Sequence, residues 1–167
     1  MIMSYIIVAV SFILTTVVNN FLPYVFNQIV FFPMFVLVGL IAAYFYSKNN
    51  KRFLILSFLS GFMIDNAWTN TTIIYGVIYL ALGYIIIKIN YIFVINIINY
   101  MVEIILFIIM ENIIVYGLLV MLNYTSYSII DLIIKISKSI PLSLVYGIIV
   151  YFVLDFFGKK KNFKKRY

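Results

Sequence analysis

The sequence contains no cysteine and no histidine. Without cysteine, the chain can form neither disulfides nor thiolate metal sites. Without histidine, it lacks the commonest general base and metal ligand of enzymes. The sequence also has no P-loop, no Gly-x-Gly-x-x-Gly and no Gly-x-Ser-x-Gly pattern. We therefore expect a protein that is not an enzyme and that uses no metal and no other cofactor.

Charged residues are scarce as well. They make up 10% of the 167 residues, whereas 66% are hydrophobic, and the mean hydropathy is +1.15. Soluble domains average about 25% charged residues, so this chain could not cover a water-facing surface. The composition predicts an all-α, polytopic integral membrane protein in a lipid bilayer. The net charge of +7 comes from basic residues near the ends of apolar runs, which indicates a membrane–water boundary and not a nucleic acid partner.

The apolar runs predict six transmembrane helices, each of a length that suits about 30 Å of hydrocarbon. We place them at residues 2–18, 33–47, 53–68, 73–87, 97–121 and 139–157. Pro33 suits the first turn of the second helix, and Ser139 with Pro141 indicates the start of the sixth.

The segments between these helices are expected to be polar or interfacial. Residues 21–32 and 91–96 are placed at the membrane interface, and residues 123–139 form an amphipathic loop. Residues 1–158 then make one transmembrane domain, and residues 159–167 form a basic cytoplasmic tail.

Basic residues are distributed unequally between the two ends of this predicted bundle. One end holds ten of the twelve, namely Lys48, Lys51, Arg52, Lys88, Lys159, Lys160, Lys161, Lys164, Lys165 and Arg166. The other end holds Lys135 and Lys138. Because cytoplasmic loops carry the excess of lysine and arginine, the count predicts six crossings with both termini in the cytoplasm.

Two glutamates, Glu103 and Glu111, fall inside the predicted fifth helix. An ionised carboxylate inside the bilayer costs at least about 3 kcal/mol, so it usually faces a partner or a watery cavity. The two are eight positions apart, which leaves them about 80° apart around the helix axis and on roughly one face. Asn99 and Asn112 lie beside them. Three interpretations stay open: interhelical hydrogen bonds that fix the bundle, contact with a second membrane protein, or a path for an ion or substrate.

Small residues line the third and fourth predicted helices. Gly61 and Asp65 are four residues apart, and Gly76 and Gly83 are seven apart. Such spacing lets two helix backbones approach closely. Asp65 lies about 18 Å from the start of its helix, near the outer boundary, where it can hydrogen-bond to the polar turn that follows.

This pattern resembles the rod shape-determining protein MreD family. That family has a Gly-x-x-x-Asp element at the end of its third helix, and this chain has Gly61-Phe-Met-Ile-Asp65 there. A polar turn follows, and then a helix with Gly76 and the step Gly83-Tyr84. The resemblance is motif-specific over residues 30–84.

The general layout of the chain also resembles that family. The length is similar, and Pro33 opens the second helix after an aromatic run. Pro141 opens the last predicted helix, and the tail is basic. In this respect the resemblance covers nearly the whole chain.

The resemblance implies a multi-pass subunit of the bacterial inner (plasma) membrane. It would belong to the cell-elongation (rod) complex, which controls cell shape and peptidoglycan synthesis. Its partner would be the bitopic membrane protein MreC, with indirect links to the MreB filament and the peptidoglycan synthases.

Other functions stay open at this point. The MreD family is similar in fold to the substrate-binding subunits of ECF-type vitamin transporters, which makes such a subunit the main alternative. Those subunits usually recruit their energising partner through a motif such as Ala-x-x-x-Ala on the first helix, where this chain has Ala9 without a second alanine at that spacing. A small channel or a toxin-immunity membrane protein is a third hypothesis.

The charge count predicts the side of the membrane on which the chain ends. A reporter fused after Tyr167 should stay in the cytoplasm, because the lysine-rich end resists translocation. Fusions to alkaline phosphatase, which is active only after export, and to green fluorescent protein, which becomes fluorescent in the cytoplasm, measure this. The same reporters inserted between residues 123 and 128 provide the exported control. Export of the C-terminal reporter would contradict the six-crossing topology.

Overall fold

A computed structural model describes residues 2–25, 34–47, 49–69, 73–90, 96–122 and 128–158. Over these ranges the chain forms six α-helices, one π-helical turn and no strand, which confirms the all-helical fold. The helices are α1 (Ile2–Val25), α2 (Phe35–Tyr44), α3 (Asn50–Ile64), α4 (Ile74–Asn90), α5 (Ile97–Met121) and α6 (Ile129–Gly158), with the π-helix at Asp65–Thr69.

The short helix α2 is the centre of the bundle. All of residues 35–43 are buried, and α2 contacts each of the other α-helices. Its sequence is apolar on every side, as is typical of a helix surrounded by other helices. Its 10 residues extend only about 15 Å, which is half the thickness of the hydrocarbon layer.

Hydrogen bonds near the two ends of α2 show the direction in which α6 runs. The N–H of Met34 donates to Ser143 Oγ (3.0 Å), and the hydroxyl of Tyr46 donates to the carbonyl of Leu154 (3.1 Å). Residue numbers therefore rise together in the two helices, so α2 and α6 are parallel.

The neighbouring helix α5 runs the opposite way to α2. Its Tyr100 donates to the carbonyl of Val38 (3.5 Å), whereas Asn112 lies 3.7 Å from the sulfur of Met34. Helix α4 is in turn antiparallel to α5, because Asn90 at the end of α4 contacts Glu103 near the start of α5.

Three helices are long and apolar enough to cross a membrane. They cover Ile2–Asn20, Ile97–Met121 and Ile129–Phe156, whereas Phe35–Tyr44 and Ile74–Asn90 are apolar but shorter. These helices indicate a membrane protein. The six complete crossings predicted from the sequence stay a prediction, since only these three described helices have the length and composition of a full span.

The outer surface of the bundle is apolar, which also fits a lipid environment. Large apolar side chains on several helices are more than half exposed, among them Ile13, Ile55, Val77, Ile98, Val102, Ile113, Ile149 and Phe152. Soluble monomers rarely expose contiguous apolar patches of large area. In hydrocarbon the same side chains are in their preferred solvent.

Several predicted helix bounds are wrong. Helix α2 ends at Tyr44 and not at residue 47, and helix α4 continues to Asn90 and not to residue 87. Helix α1 continues to Val25 and not to residue 18, because the two asparagines at 19–20 are weak helix formers and not helix breakers. Helix α3 begins at Asn50, within the predicted loop 48–52, because the side chain of Asn49 accepts a hydrogen bond from the N–H of Lys51 (2.9 Å) and caps the helix.

The start predicted for the last helix is also wrong. Helix α6 begins at Ile129, so the predicted amphipathic loop is helical from that residue onward, and Pro141 lies inside the helix. Ser128 and Asp131 cap each other: the carboxylate accepts from the N–H and hydroxyl of Ser128 (both 2.9 Å), and Ser128 Oγ faces the N–H of Asp131 (3.4 Å). This reciprocal cap defines a helix start ten residues before Ser139.

Some predicted features lie outside the described residues. They are Pro33, most of the interfacial segment 21–32, the turn at 70–72, the interfacial residues 91–95 and the basic tail 159–167.

Candidate functional site

The hairpin of α3 and α4 is organised around the carboxylate of Asp65. This side chain is completely buried. Its two oxygens accept hydrogen bonds from the backbone N–H groups of Tyr75 (3.1 Å) and Gly76 (3.0 Å). Asp65 therefore connects the end of α3 to the first turn of α4.

The first turn of α4 needs such an acceptor. Its first helical hydrogen bond runs from the N–H of Val77 to the carbonyl of Ile73, so the N–H groups of the preceding residues have no acceptor within the helix. Ile73 occupies the capping position but has no side-chain oxygen. Asp65 supplies the acceptor from ten residues upstream, and its negative charge also suits the positive end of the helix dipole.

Glycines allow the two helices to come close enough for this contact. A Cβ atom on Gly61 would overlap the carbonyl oxygen of Tyr75 and lie 2.9 Å from the Cα of Gly76. A Cβ atom on Gly83 would overlap Ser57 Oγ. Because Gly61 meets backbone atoms, no side-chain movement could make room for a larger residue there.

The structure thus brings together three residues of the predicted motif, namely Gly61, Asp65 and Gly76, whereas Gly83 packs on Ser57 further along the hairpin. Gly76 packs under the ring of Phe58, with 3.1 Å between the position of a Cβ atom and the nearest ring carbon. Tyr84 is different, because it is 54% exposed. The ammonium of Lys88 lies 5.6 Å from the centre of its ring, so Tyr84 takes part in a surface cation–π contact and not in the hairpin core.

The π-helical turn after Asp65 packs the hairpin against α1. Within it, the ring of Trp68 stacks on that of Phe12 at 5.0 Å between ring centres. Single π-turns are frequent at functional sites. Within this turn, Asp65 contacts α4 and Trp68 contacts α1.

The predicted intramembrane glutamate Glu111 faces α4. It is 4% exposed, and the hydroxyl of the buried Tyr79 donates to its two carboxylate oxygens at 3.3 and 3.4 Å. This contact is an interhelical hydrogen bond between α4 and α5.

Glu103 also faces α4, two turns closer to the start of α5. The side-chain amide of Asn90 donates to its carboxylate and to the carbonyl of Ile86 (3.1 Å). Glu103 is 7% exposed. The two glutamates therefore attach α5 to α4 at two levels, and each has a polar partner in place of water.

The two asparagines predicted beside the glutamates have different surroundings. Asn112 is 2% exposed, and its amide nitrogen donates to the carbonyl of Ile108 (2.9 Å). Its oxygen Oδ1 is buried without a hydrogen-bond partner among the described residues. Asn99, one turn before Glu103, is half-buried.

A second polar contact, which was not predicted from the sequence, joins α1 to α6. The hydroxyls of Ser11 and Tyr146 are 2.8 Å apart, and both residues are buried. Ser11 packs directly on Gly39 of α2. The signal that could have found it is in α1, where Ser4, Ser11 and Thr15 recur at helical spacing on one buried face.

The described residues offer no metal centre, since none of them form a group of three or more acidic, histidine or cysteine side chains that could hold an ion. The arrangement supplies interhelical contacts of carboxylate, amide and hydroxyl groups. Such contacts position helices and surfaces.

Comparison with known proteins identifies no relative of this chain. No protein-family model matches it, and neither the curated proteins nor the solved structures give a significant match.

Replacing Asp65 tests the helix cap. Asp65→Ala leaves one buried and one partly buried N–H group of α4 without an acceptor, so we expect a loss of about 1–3 kcal/mol in the free energy of unfolding. Asp65→Asn retains one acceptor oxygen and should lose less. Unfolding in detergent micelles, followed by circular dichroism, measures both. Asp131→Ala is the control, because Asp131 is exposed and water can replace it. A stability of Asp65→Ala equal to that of the unsubstituted protein would refute the cap.

Replacing Gly61 tests the close approach of α3 and α4. Gly61→Ala forces a methyl group against the backbone of Tyr75 and Gly76, so we expect a loss of about 1–3 kcal/mol. Gly117→Ala is the matched control on α5, where a Cβ atom meets nothing within 4 Å. It should be neutral or stabilising by up to about 1 kcal/mol, because alanine is the better helix former. A stability of Gly61→Ala equal to that of Gly117→Ala would disprove the contact.

Proposed function

We propose that this protein is a non-enzymatic, multi-pass scaffold of the bacterial inner membrane and a subunit of the cell-elongation (rod) complex, as members of the MreD family are. In this role it binds an MreC-like bitopic membrane protein and helps to control cell shape and peptidoglycan synthesis. The observation that supports it best is the α3–α4 hairpin, in which Gly61 and Asp65 both contact the first turn of α4 at Gly76, and Gly83 packs on Ser57 of α3.

A rigid hairpin at the periphery of the bundle suits a scaffold. Helix α3 packs chiefly on α4 and only lightly on α2. Its other side is apolar and exposed, with Ile55 (56%), Leu59 (44%) and Met63 (44%) at a spacing of four residues. This face is available to the transmembrane helix of a bitopic partner, which associates through close packing of side chains.

The proposed topology has six crossings with both termini in the cytoplasm. The alternating directions of α2 to α6 support it, since each helix in this part of the chain runs opposite to the next. Lys51 and Arg52 at the start of α3 therefore lie at the same end of the bundle as Lys88 near the end of α4. Lys135 lies near the start of α6, at the opposite end.

The alternative is a substrate-binding subunit of an ECF-type vitamin transporter. One observation favours it, namely the buried oxygen of Asn112, which has no partner among the described residues and could accept a hydrogen bond from a ligand. A vitamin retained by the purified protein and identified by mass spectrometry would support this function over the scaffold.

Co-purification with the partner tests the scaffold function. A tagged copy, co-expressed with the MreC-like protein of the same organism and extracted in mild detergent, should retain that protein. Leu59→Trp places a bulky ring on the exposed α3 face and should reduce the recovery. Ile13→Trp, on the exposed face of α1, is the matched control and should not. Recovery of the monomer alone, together with normal rod shape after gene deletion, would rule the proposal out.

A further inference from the structure

Helix α6 is longer than a membrane crossing requires. Its 30 residues extend about 45 Å, whereas about 20 residues cross the hydrocarbon layer. The basic tail that begins after Gly158 favours placing the last twenty residues, 139–158, in the hydrocarbon. Residues 129–138 then lie outside it.

These ten residues are nevertheless apolar on one side. Ile129 and Ile130 are both 67% exposed, Ile133 is 58% exposed and Ile134 is 45% exposed. Positions i, i+1, i+4 and i+5 fall on one side of a helix. Four isoleucines are thus available on the surface of the segment, although it lies beyond the predicted hydrocarbon boundary.

The other side of the same segment is charged. Asp131, Lys135 and Lys138 recur at positions i, i+4 and i+7, which form one narrow strip. The reciprocal cap between Ser128 and Asp131 gives this segment a helix start of its own. The segment therefore has one apolar side and one charged side, as an amphipathic helix at a membrane surface does.

Pro141 lies directly after this segment. Proline has no N–H and its ring crowds the carbonyl four residues earlier, so a helix bends most readily there. The segment can therefore turn from the direction of the span towards the membrane plane.

We propose that residues 129–138 form an amphipathic anchor in the interface of the membrane leaflet opposite the basic tail. The isoleucines contact the acyl chains, and the exposed Asp131 faces the lipid headgroups and water, whereas Lys135 and Lys138 are half-buried. Lipid is the occupant that fits, because this apolar side continues into the exposed apolar side of the span at Ile148 and Phe152.

The end of α5 supports the same assignment. Helices α5 and α6 are neighbours, and they run in opposite directions, so the end of α5 lies beside the start of α6. Met121 is 82% exposed there, and Leu122 is 50% exposed. The tip of this hairpin thus presents apolar side chains from both helices, as an interfacial anchor requires.

Fluorescent labelling tests the anchor, which rests on the membrane location in the proposed function. The chain has no cysteine, so Ile133→Cys and Ile149→Cys each provide one labelling site for an environment-sensitive dye. The two isoleucines are similarly exposed, at 58% and 54%. The labelled proteins are reconstituted in vesicles of phosphatidylethanolamine and phosphatidylglycerol. Nitroxide lipids, with the quencher near the headgroup or near the end of the acyl chain, then measure depth.

We expect the dye at position 133 to lose more fluorescence to the shallow nitroxide, and the dye at 149 to lose more to the deep one. Loss at 133 to an aqueous quencher alone would overturn the anchor, and so would shielding from both lipid and water, which indicates a covering protein. If the dye at 149 is not quenched by either nitroxide lipid, the membrane location itself fails. Circular dichroism of both labelled variants verifies that they are folded.

Discussion

The bundle depends on the hydrogen bonds that the carboxylate of Asp65 accepts from the backbone of α4. In a chain surrounded by hydrocarbon, every backbone N–H and C=O must find its partner inside the protein. The first turn of α4 has N–H groups without helical partners, and Asp65 accepts from Tyr75 and Gly76 there. This is possible only because Gly61 brings the two backbones together. Gly61 and Asp65 therefore act together. The glycine allows the two helices to approach closely, and at this distance the carboxylate reaches the N–H groups of α4.

The same requirement explains three other buried polar side chains. Ser143 on α6 accepts a hydrogen bond from the N–H of Met34 at the start of α2. This N–H has no acceptor within the central helix, and the neighbouring helix α6 supplies one. Glu103 and Glu111 receive hydrogen bonds from Asn90 and Tyr79. In each of these cases, the hydrogen-bond partner of a polar group lies on another helix. These polar residues therefore determine which helices are neighbours.

The sequence predicts those features that depend on local pattern. The bounds of α5 agree with the predicted range 97–121. A long apolar run that begins directly after a polar residue can be identified as a helix from the sequence alone. The four-residue spacing of Gly61 and Asp65 likewise indicates by itself that two helices pack closely. The predicted start of α6 is wrong because Pro141 suggests a helix start. The reciprocal cap of Ser128 and Asp131 is the stronger signal, and it starts the helix at Ile129, ten residues before Ser139. The partners Tyr79 and Asn90 could not be predicted, since they depend on how α4 and α5 align in space.

The pairing of the glutamates also bears on the choice between scaffold and transporter. A ligand-binding site needs several polar groups that converge on a pocket and are available to the ligand. Tyr79 and Asn90 already donate to the two glutamates, and among the described residues Asn112 retains an unpaired buried oxygen. A ligand held by the glutamates would have to displace contacts that join α4 to α5. The interior therefore favours a rigid bundle, and a rigid bundle that presents apolar faces to lipid and to other helices suits a scaffold better than a carrier.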